Sequence, residues 1–212
     1  MSERLRAVTF DLDGTLYDAV AARRAILWAT FPRWRTLRVG RAVREELRAR
    51  TFASGAALRD EEARLVAERL DVASTVARAR LDAVFDDDLV RALARVGPRP
   101  EARAALAGLV AAGLLLGVVS DRRIDAKLAA LGLADLPWRV TVCADDAGAL
   151  KPAPELFLAA CARLDVAPHL VAHVGDRADT DEAGARAAGM RAQVLGRDGD
   201  LARIVARLTA EA

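Results

Sequence analysis

The sequence predicts an α/β fold, a parallel sheet flanked by helices with a long helical insertion after its first strand. Three observations predict it. A short, mostly apolar segment, Arg6–Phe10, runs directly into a glycine-bearing loop, Asp11-Leu12-Asp13-Gly14-Thr15. From Leu16 to about Arg95 no convincing strand recurs, while Leu58, Leu65, Val66 and Leu70 fall at helical spacing. Beyond the breaker cluster Gly97-Pro98-Arg99-Pro100, strands and helices alternate to the end of the chain. Alternation of this kind calls for crossover connections and hence a parallel sheet.

Taken in order, Arg6–Phe10 reads as a buried strand. The helical stretch that follows is punctuated by Gly40 and Gly55. Glu101–Ala112 is expected as a helix and Leu114–Val119 as a strand ending at Ser120. Ile124–Leu131 follows as a helix, Arg139–Cys143 as a strand and Pro154–Leu164 as a helix. Leu170–Val174 is a strand ending at Gly175-Asp176. Glu182–Ala188 is helical, Arg191–Leu195 is a strand, and Leu201–Leu208 is a last helix. Trp28, Phe31 and Trp34 in the insertion read as core residues. Asp86-Asp87-Asp88 reads as the N-terminal cap of an apolar helix, where carboxylates suit the helix dipole.

Composition narrows the class. The chain has 212 residues, 53% hydrophobic and 29% charged, enough to bury a core and too apolar for a disordered chain. Its net charge of +2 gives no charged tail for nucleic acid. Cys143 and Cys161 cannot build a disulfide framework, which fits a reducing compartment. The start, Met-Ser-Glu-Arg, carries no apolar secretory core. The longest run of apolar residues and glycine, Ala104–Val119, is shorter than the roughly 20 residues that cross a bilayer. The expectation is a cytoplasmic protein with neither nucleic acid nor membrane as partner.

Two charge features stand out. Of 32 basic residues only Lys127 and Lys151 are lysine. In an arginine-rich chain a surviving lysine asks what arginine could not do there. Residues 21–50 hold nine arginines against Glu45 and Glu46, a local +7, so the remainder sums to −5. Solvated helix faces account for such a stretch. A sharper expectation is that Arg23 and Arg24, near its start, help draw an anion toward a site.

In an open parallel sheet ligands bind at the carboxyl ends of the strands. Those ends carry Asp11, Asp13, Ser120, Asp121 and Asp176, with Lys151 and Asp181 close behind. Carboxylates gathered in one place repel and take up protons unless a cation joins them. Hard oxygen ligands of this type suit Mg²⁺. A metal and a lysine beside a hydroxyl make a pocket for a phosphoryl group. One aspartate could attack phosphorus, and a neighbour two residues on could handle the leaving-group proton.

Four motifs now add up to a resemblance. Phe10-Asp11-Leu12-Asp13-Gly14-Thr15-Leu16 resembles the first motif of the haloacid dehalogenase-like (HAD) superfamily. Val118-Val119-Ser120 resembles its second and Lys151-Pro152-Ala153-Pro154 its third. Val174-Gly175-Asp176, with Asp181, Gly184-Ala185 and Ala188-Gly189-Met190, resembles its fourth. The likeness covers about residues 5–17 and 98–196. Residues 18–95 match only as a helical insertion in the place of that family's cap.

The resemblance implies a Rossmann-like five-stranded sheet with the first strand central. Residues 1–16 and 97–212 would form the catalytic core and 17–96 the cap domain. It implies a Mg²⁺-dependent phosphohydrolase acting on a small phosphate monoester, a phosphorylated metabolite, through an aspartyl-phosphate. Asp11 would be the nucleophile and Asp13 the general acid and base. Ser120 would bind a phosphoryl oxygen and Lys151 would neutralise charge. Asp11, Asp176, the Asp13 backbone carbonyl and Asp181, directly or through water, would hold Mg²⁺.

Rival readings are a phosphomutase, a 2-haloacid dehalogenase and a catalytically silent binding protein on the same fold. The dehalogenase leaves Asp13 and Asp176 unexplained. Three departures from the family pattern bear on the pocket rim: Asp121 where asparagine is common, Arg177 where a small serine is common, and Asp145-Asp146 where serine often begins the loop. His173, inside a strand, reads as a packed histidine.

Overall fold

A computed structural model describes residues 4–196 and 200–212. Its sheet has five parallel strands in the order β3-β2-β1-β4-β5. They are β1 (Ala7–Phe10), β2 (Leu115–Ser120), β3 (Trp138–Cys143), β4 (Val171–Gly175) and β5 (Arg191–Val194). β1 is central and every residue in it is buried, so its sequence is a continuous run without polar alternation beyond Thr9. The five expected strands are present within a residue or two of their bounds.

The register places the strand ends together. Phe10 lies opposite Val118 on one side and Val174 on the other. One step further, Asp11 N–H donates to the Val174 carbonyl at 2.8 Å. Asp11, Ser120 and Asp176 therefore emerge along one edge, where the strand order reverses between β1 and β4.

Successive β1 residues face opposite layers. Val8 and Phe10 pack into one core with Leu106 and Leu109 of α6 (Ala102–Ala111) and Leu201 and Leu208 of α11 (Leu201–Ala210). Ala7 packs into the other with Leu156, Phe157 and Ala160 of α9 (Pro154–Leu164). Shorter helices α7 (Asp125–Ala130), α8 (Ala144–Ala147) and α10 (Ala183–Ala187) complete the crossovers.

Between β1 and β2 the chain forms α1 (Ala19–Thr30), α2 (Trp34–Leu47), α3 (Gly55–Leu70), α4 (Ser74–Asp82) and α5 (Leu89–Val96). Asp18 caps α1, accepting from the Val20 and Ala21 amides at 2.7 and 3.0 Å. Leu37, Val43, Leu47, Leu58 and Val66 join the apolar core on the α6 side. No helix among the described residues is long and apolar enough to cross a membrane.

Two expectations about the insertion fail. Trp28, Phe31 and Trp34 are 74%, 68% and 50% exposed, not core. The buried stripe of α1 is Ala22, Ile26 and Thr30, and a helix that buries those residues turns Trp28 outward. Asp86-Asp87-Asp88 starts no new helix. Residues 83–88 form a π-helical turn continuous with α4 and α5, Asp88 has helical φ and ψ of −63° and −44°, and its side chain caps nothing. Asp88 is instead buried against Arg33, at 2.9 Å, and Arg91.

Gly55 shows how tightly the insertion meets the core. A Cβ there would lie 2.0 Å from the Asp145 backbone carbonyl oxygen. Relief of glycine's chain entropy gains about 0.4–1 kcal/mol, but overpacking against backbone costs about 1–3 kcal/mol. Gly55→Ala is expected to lower stability by about 1–2 kcal/mol in urea unfolding; an unchanged or raised midpoint would show that the helix start can yield.

Candidate active site

The edge formed by the strand ends floors a cavity of about 670 Å³ that contains Asp11, Asp13, Ser120, Lys151, Asp176 and Asp181. All six site residues read from the sequence therefore meet in one place. Around them lie insertion residues, four arginines among apolar side chains such as Ile26, Leu37 and Leu89.

Lys151, from the loop before α9, is buried and organises the floor. Its Nζ donates to Asp11 Oδ1, to Asp181 Oδ1 at 2.6 Å and to the Val119 carbonyl at 3.3 Å. Burial alone would lower the lysine pKa, yet the negative charges of Asp11 and Asp181 outweigh it and hold the ammonium firmly protonated. Asp11 lies at the other balance. Burial pushes its carboxyl well above the usual range, Lys151 opposes this, and the charges of Asp181 and Asp13 add to it. Thr15 supplies a further hydrogen bond to Asp11 Oδ2 at 3.3 Å.

Asp181 is held from three directions. Its Oδ1 faces Lys151 and, at 3.2 Å, His173 Nε2, while Oδ2 accepts from the Arg177 amide at 3.1 Å. Burial would raise its pKa, but Lys151 and His173 hold it well below the usual range. A carboxylate has about four acceptor sites, so roughly one remains for a ligand or a water. Burial lowers the His173 pKa and leaves the ring neutral. Both its contacts are met if Nε2–H donates to Asp181 and Nδ1 accepts from Thr9 Oγ1, 3.0 Å away. Phe157 packs edge-on against the ring at 4.9 Å.

Oxygen atoms of Asp11, Asp176 and Asp181 lie within 4.8 Å of one another. Among the described residues Asp176 has no ion-pair partner; burial and Asp181 raise its pKa, and the charges of Lys151 and Arg177 oppose them only in part. Gly14 makes room for it: a Cβ at Gly14 would sit 2.3 Å from Asp176 Oδ2, and its φ of +98° already demands glycine. A crowded set of hard oxygen donors with an unneutralised member fits a small divalent cation.

The Asp13 side chain does not join that trio. It turns away, accepting from Lys127 Nζ at 2.5 Å and from the Tyr17 hydroxyl at 3.0 Å. Burial would raise its pKa, but the Lys127 ammonium prevails and keeps it low. Only the backbone carbonyl of Asp13 is left for the metal role read from the sequence. Lys127, on α7 and buried, was not among the expected site residues. Its signal was present, for it is one of two lysines in the chain.

Asp121 and Asp145, two of the departures at the rim, serve the insertion. Asp121 Oδ2 accepts from Arg48 of α2 at 2.6 Å, its Oδ1 accepts from the Lys151 amide at 2.9 Å, and its carbonyl accepts from Arg44 at 2.7 Å. Arg122 pairs with buried Glu62 of α3 at 2.8 Å, and Arg44 reaches the same carboxylate at 3.3 Å. Burial, helped by Arg44, pushes the Arg122 guanidinium down to about 10. Arg177 pairs with Asp179, and Asp145 with Arg59 at 2.7 Å. Ser120 is buried, its Oγ accepting from the Arg122 amide at 3.3 Å.

A family model described as haloacid dehalogenase-like hydrolase matches residues 5–189. The chain belongs to that family. It is 31% identical over 178 residues to the N-acetylmuramic acid 6-phosphate phosphatase of Pseudomonas aeruginosa, covering 82% of this chain and 74% of that protein. It is 40% identical over 91 residues to haloacid dehalogenase-like hydrolase domain-containing protein 3 of Bos taurus, covering 42% of this chain and 36% of that protein's length. Among solved structures it resembles a 2-haloacid dehalogenase from Pseudomonas syringae pv. Tomato DC3000, with a TM-score of 0.63, 27% identity and coverage of 97% and 98%.

For this hydrolase the raised pKa of Asp11 has a stability consequence. A carboxyl whose folded pKa exceeds its unfolded value of about 3.9 stabilises below that value and loses the contribution as pH rises through the folded pKa. Asp11→Asn removes the loss. In EDTA, its melting temperature relative to the native chain is expected to be near zero at pH 4 and positive at pH 7. A difference independent of pH would contradict the electrostatic assignment.

Proposed function

We propose that this hydrolase cleaves a small phosphate monoester with Mg²⁺, through an aspartyl-phosphate on Asp11. The observation that carries the reading is the separation of the two first-loop carboxylates, Asp11 toward Lys151 and Asp13 toward Lys127. One oxygen set faces phosphorus; the other is held apart from it for proton transfer.

Asp11 attacks phosphorus while the bond to the leaving oxygen breaks. Lys151 holds the Asp11 carboxylate in place and faces the phosphoryl oxygens, and Ser120 Oγ binds one of them. Asp13 gives a proton to the leaving oxygen. Free, it is held as a carboxylate by Lys127; the negative charge of an arriving phosphate opposes that ammonium and raises its proton affinity. Asp13 then takes a proton from the water that attacks phosphorus, and the bond to Asp11 breaks to release phosphate. Asp11, Asp176, the Asp13 carbonyl and the remaining site on Asp181 would hold Mg²⁺, which supplies charge neutralisation at the phosphoryl oxygens.

The likeness to the Pseudomonas aeruginosa phosphatase supports this reading. The likeness to a dehalogenase accounts for the fold but leaves Asp13 and Asp176 without a task. Turnover of p-nitrophenyl phosphate is expected with Mg²⁺ and is lost in EDTA; turnover that survives EDTA would overturn the metal assignment. Asp11→Asn is expected to retain less than about 1% of the rate while keeping its fold, since the amide is near-isosteric but a poor nucleophile.

Lys151→Arg tests the lysine itself. The ammonium is a point charge between two carboxylates, and a planar guanidinium cannot occupy that gap. A fall of at least ~10-fold in kcat is expected; normal turnover would show that any cation suffices.

A further inference from the structure

Among the described residues six arginines line the cavity, and four of them are ion-paired. Arg44 and Arg122 share Glu62, Arg48 pairs with Asp121, and Arg177 pairs with Asp179. Arg23 of α1 and Arg41 of α2 are the other two. Among the described residues no carboxylate lies within ion-pair distance of either. Both are exposed, and the cavity wall around them includes Ile26, Leu37 and Leu89, which offer no counter-charge.

Arg41 also has a defined side. The Tyr17 hydroxyl donates to Asp13, and burial and Asp13 raise its pKa while the positive charge of Arg41 opposes them. Arg41 thus lies within electrostatic reach of Tyr17, whose hydroxyl is bonded to the carboxylate that must address the leaving oxygen. Arg24, by contrast, does not line the cavity, so the expectation that paired it with Arg23 is narrowed to Arg23.

We propose that Arg23 and Arg41 form a subsite for a second anionic group on the leaving portion of the substrate. The substrate class is then a phosphate monoester whose alcohol also carries a carboxylate or a second phosphate. The inference rests on the phosphatase reading for its orientation, with the scissile phosphate at Asp11 and the second anion under the insertion. Two uncompensated guanidiniums facing one anion give charge-assisted hydrogen bonds that a neutral leaving group cannot make. A neutral leaving group forgoes these bonds and leaves both exposed cations to solvent.

The test uses three probes with the same two-carbon leaving chain: glycolate O-phosphate, ethylene glycol bisphosphate and ethyl phosphate. Binding is measured by calorimetry on Asp11→Asn with Mg²⁺, so it does not require turnover. At least one doubly anionic probe is expected to bind ~10-fold or more tightly than ethyl phosphate. Adding Arg23→Gln and Arg41→Gln should shrink the preference below about threefold, whereas Arg24→Gln, outside the cavity, should keep it. Preference for the carboxylate probe assigns a phosphorylated hydroxy acid; preference for the bisphosphate assigns a bisphosphate. Equal affinity for all three probes, or a preference that survives loss of both arginines, overturns the subsite. An intact preference in a protein that hydrolyses no phosphate ester would leave the subsite standing and overturn the phosphatase reading.

Discussion

Everything at the catalytic edge depends on one buried ammonium. Asp11, Asp176 and Asp181 are brought within 4.8 Å of one another by the ends of β1 and β4, a placement that like charges resist. Lys151 touches two of the three and makes the arrangement tenable. It answers burial unequally: the carboxyl of Asp181 is drawn down, that of Asp11 stays high, and Asp176, among the described residues, has no ion-pair partner, with Lys151 and Arg177 only partly opposing its raised pKa. That gradient turns a cluster of similar residues into groups with different tasks. The second lysine repeats the device on the other side of the loop, where Lys127 holds Asp13 apart from the trio.

The insertion is built into the site. α2 and α3 send Arg44, Arg48 and Glu62 to the two loops that carry Ser120 and Lys151. These contacts engage three cavity arginines, Arg44, Arg48 and Arg122, in structure, and Asp179 engages a fourth, Arg177. A strongly basic helical segment therefore presents few free cations to a ligand, and the few that remain acquire selectivity. A count of charges along residues 21–50 could not distinguish the two uses, because pairing is decided by residues such as Asp121, far along the chain.

Strand positions, the carboxylate set and the importance of Lys151 were legible from local pattern: short apolar runs ending in acidic residues, and a lysine in an arginine-rich background. What was not legible depended on distant contacts. Lys127 carried the same rarity as Lys151, but nothing nearby in the chain connects it to Asp13, 114 positions away. His173 was read as packing, which is correct for its burial and incomplete for its bond to Asp181. Trp28, Phe31 and Trp34 were assigned to the core by residue type, yet helix phase set by Ala22, Ile26 and Thr30 turned Trp28 outward, and Phe31 and Trp34 lie exposed in the turn between α1 and α2 and at the start of α2. Asp88 looked like a cap because a carboxylate preceded an apolar run; the backbone instead ran on through a π-turn.

The chain of contacts from Phe157 through His173 to Asp181 joins the packing of the sheet to the reacting groups. Phe157 belongs to the apolar layer under α9, and its ring is itself wedged so closely that a Cβ on Gly184 would lie 2.3 Å from it. In such an arrangement, volume in one layer is exchanged for bond direction in another. Sequence drift at Phe157 or Gly184, two positions that do not line the cavity, is thereby constrained by chemistry as well as by density, and mutational tolerance in this half of the core should be narrower than its distance from the cavity implies.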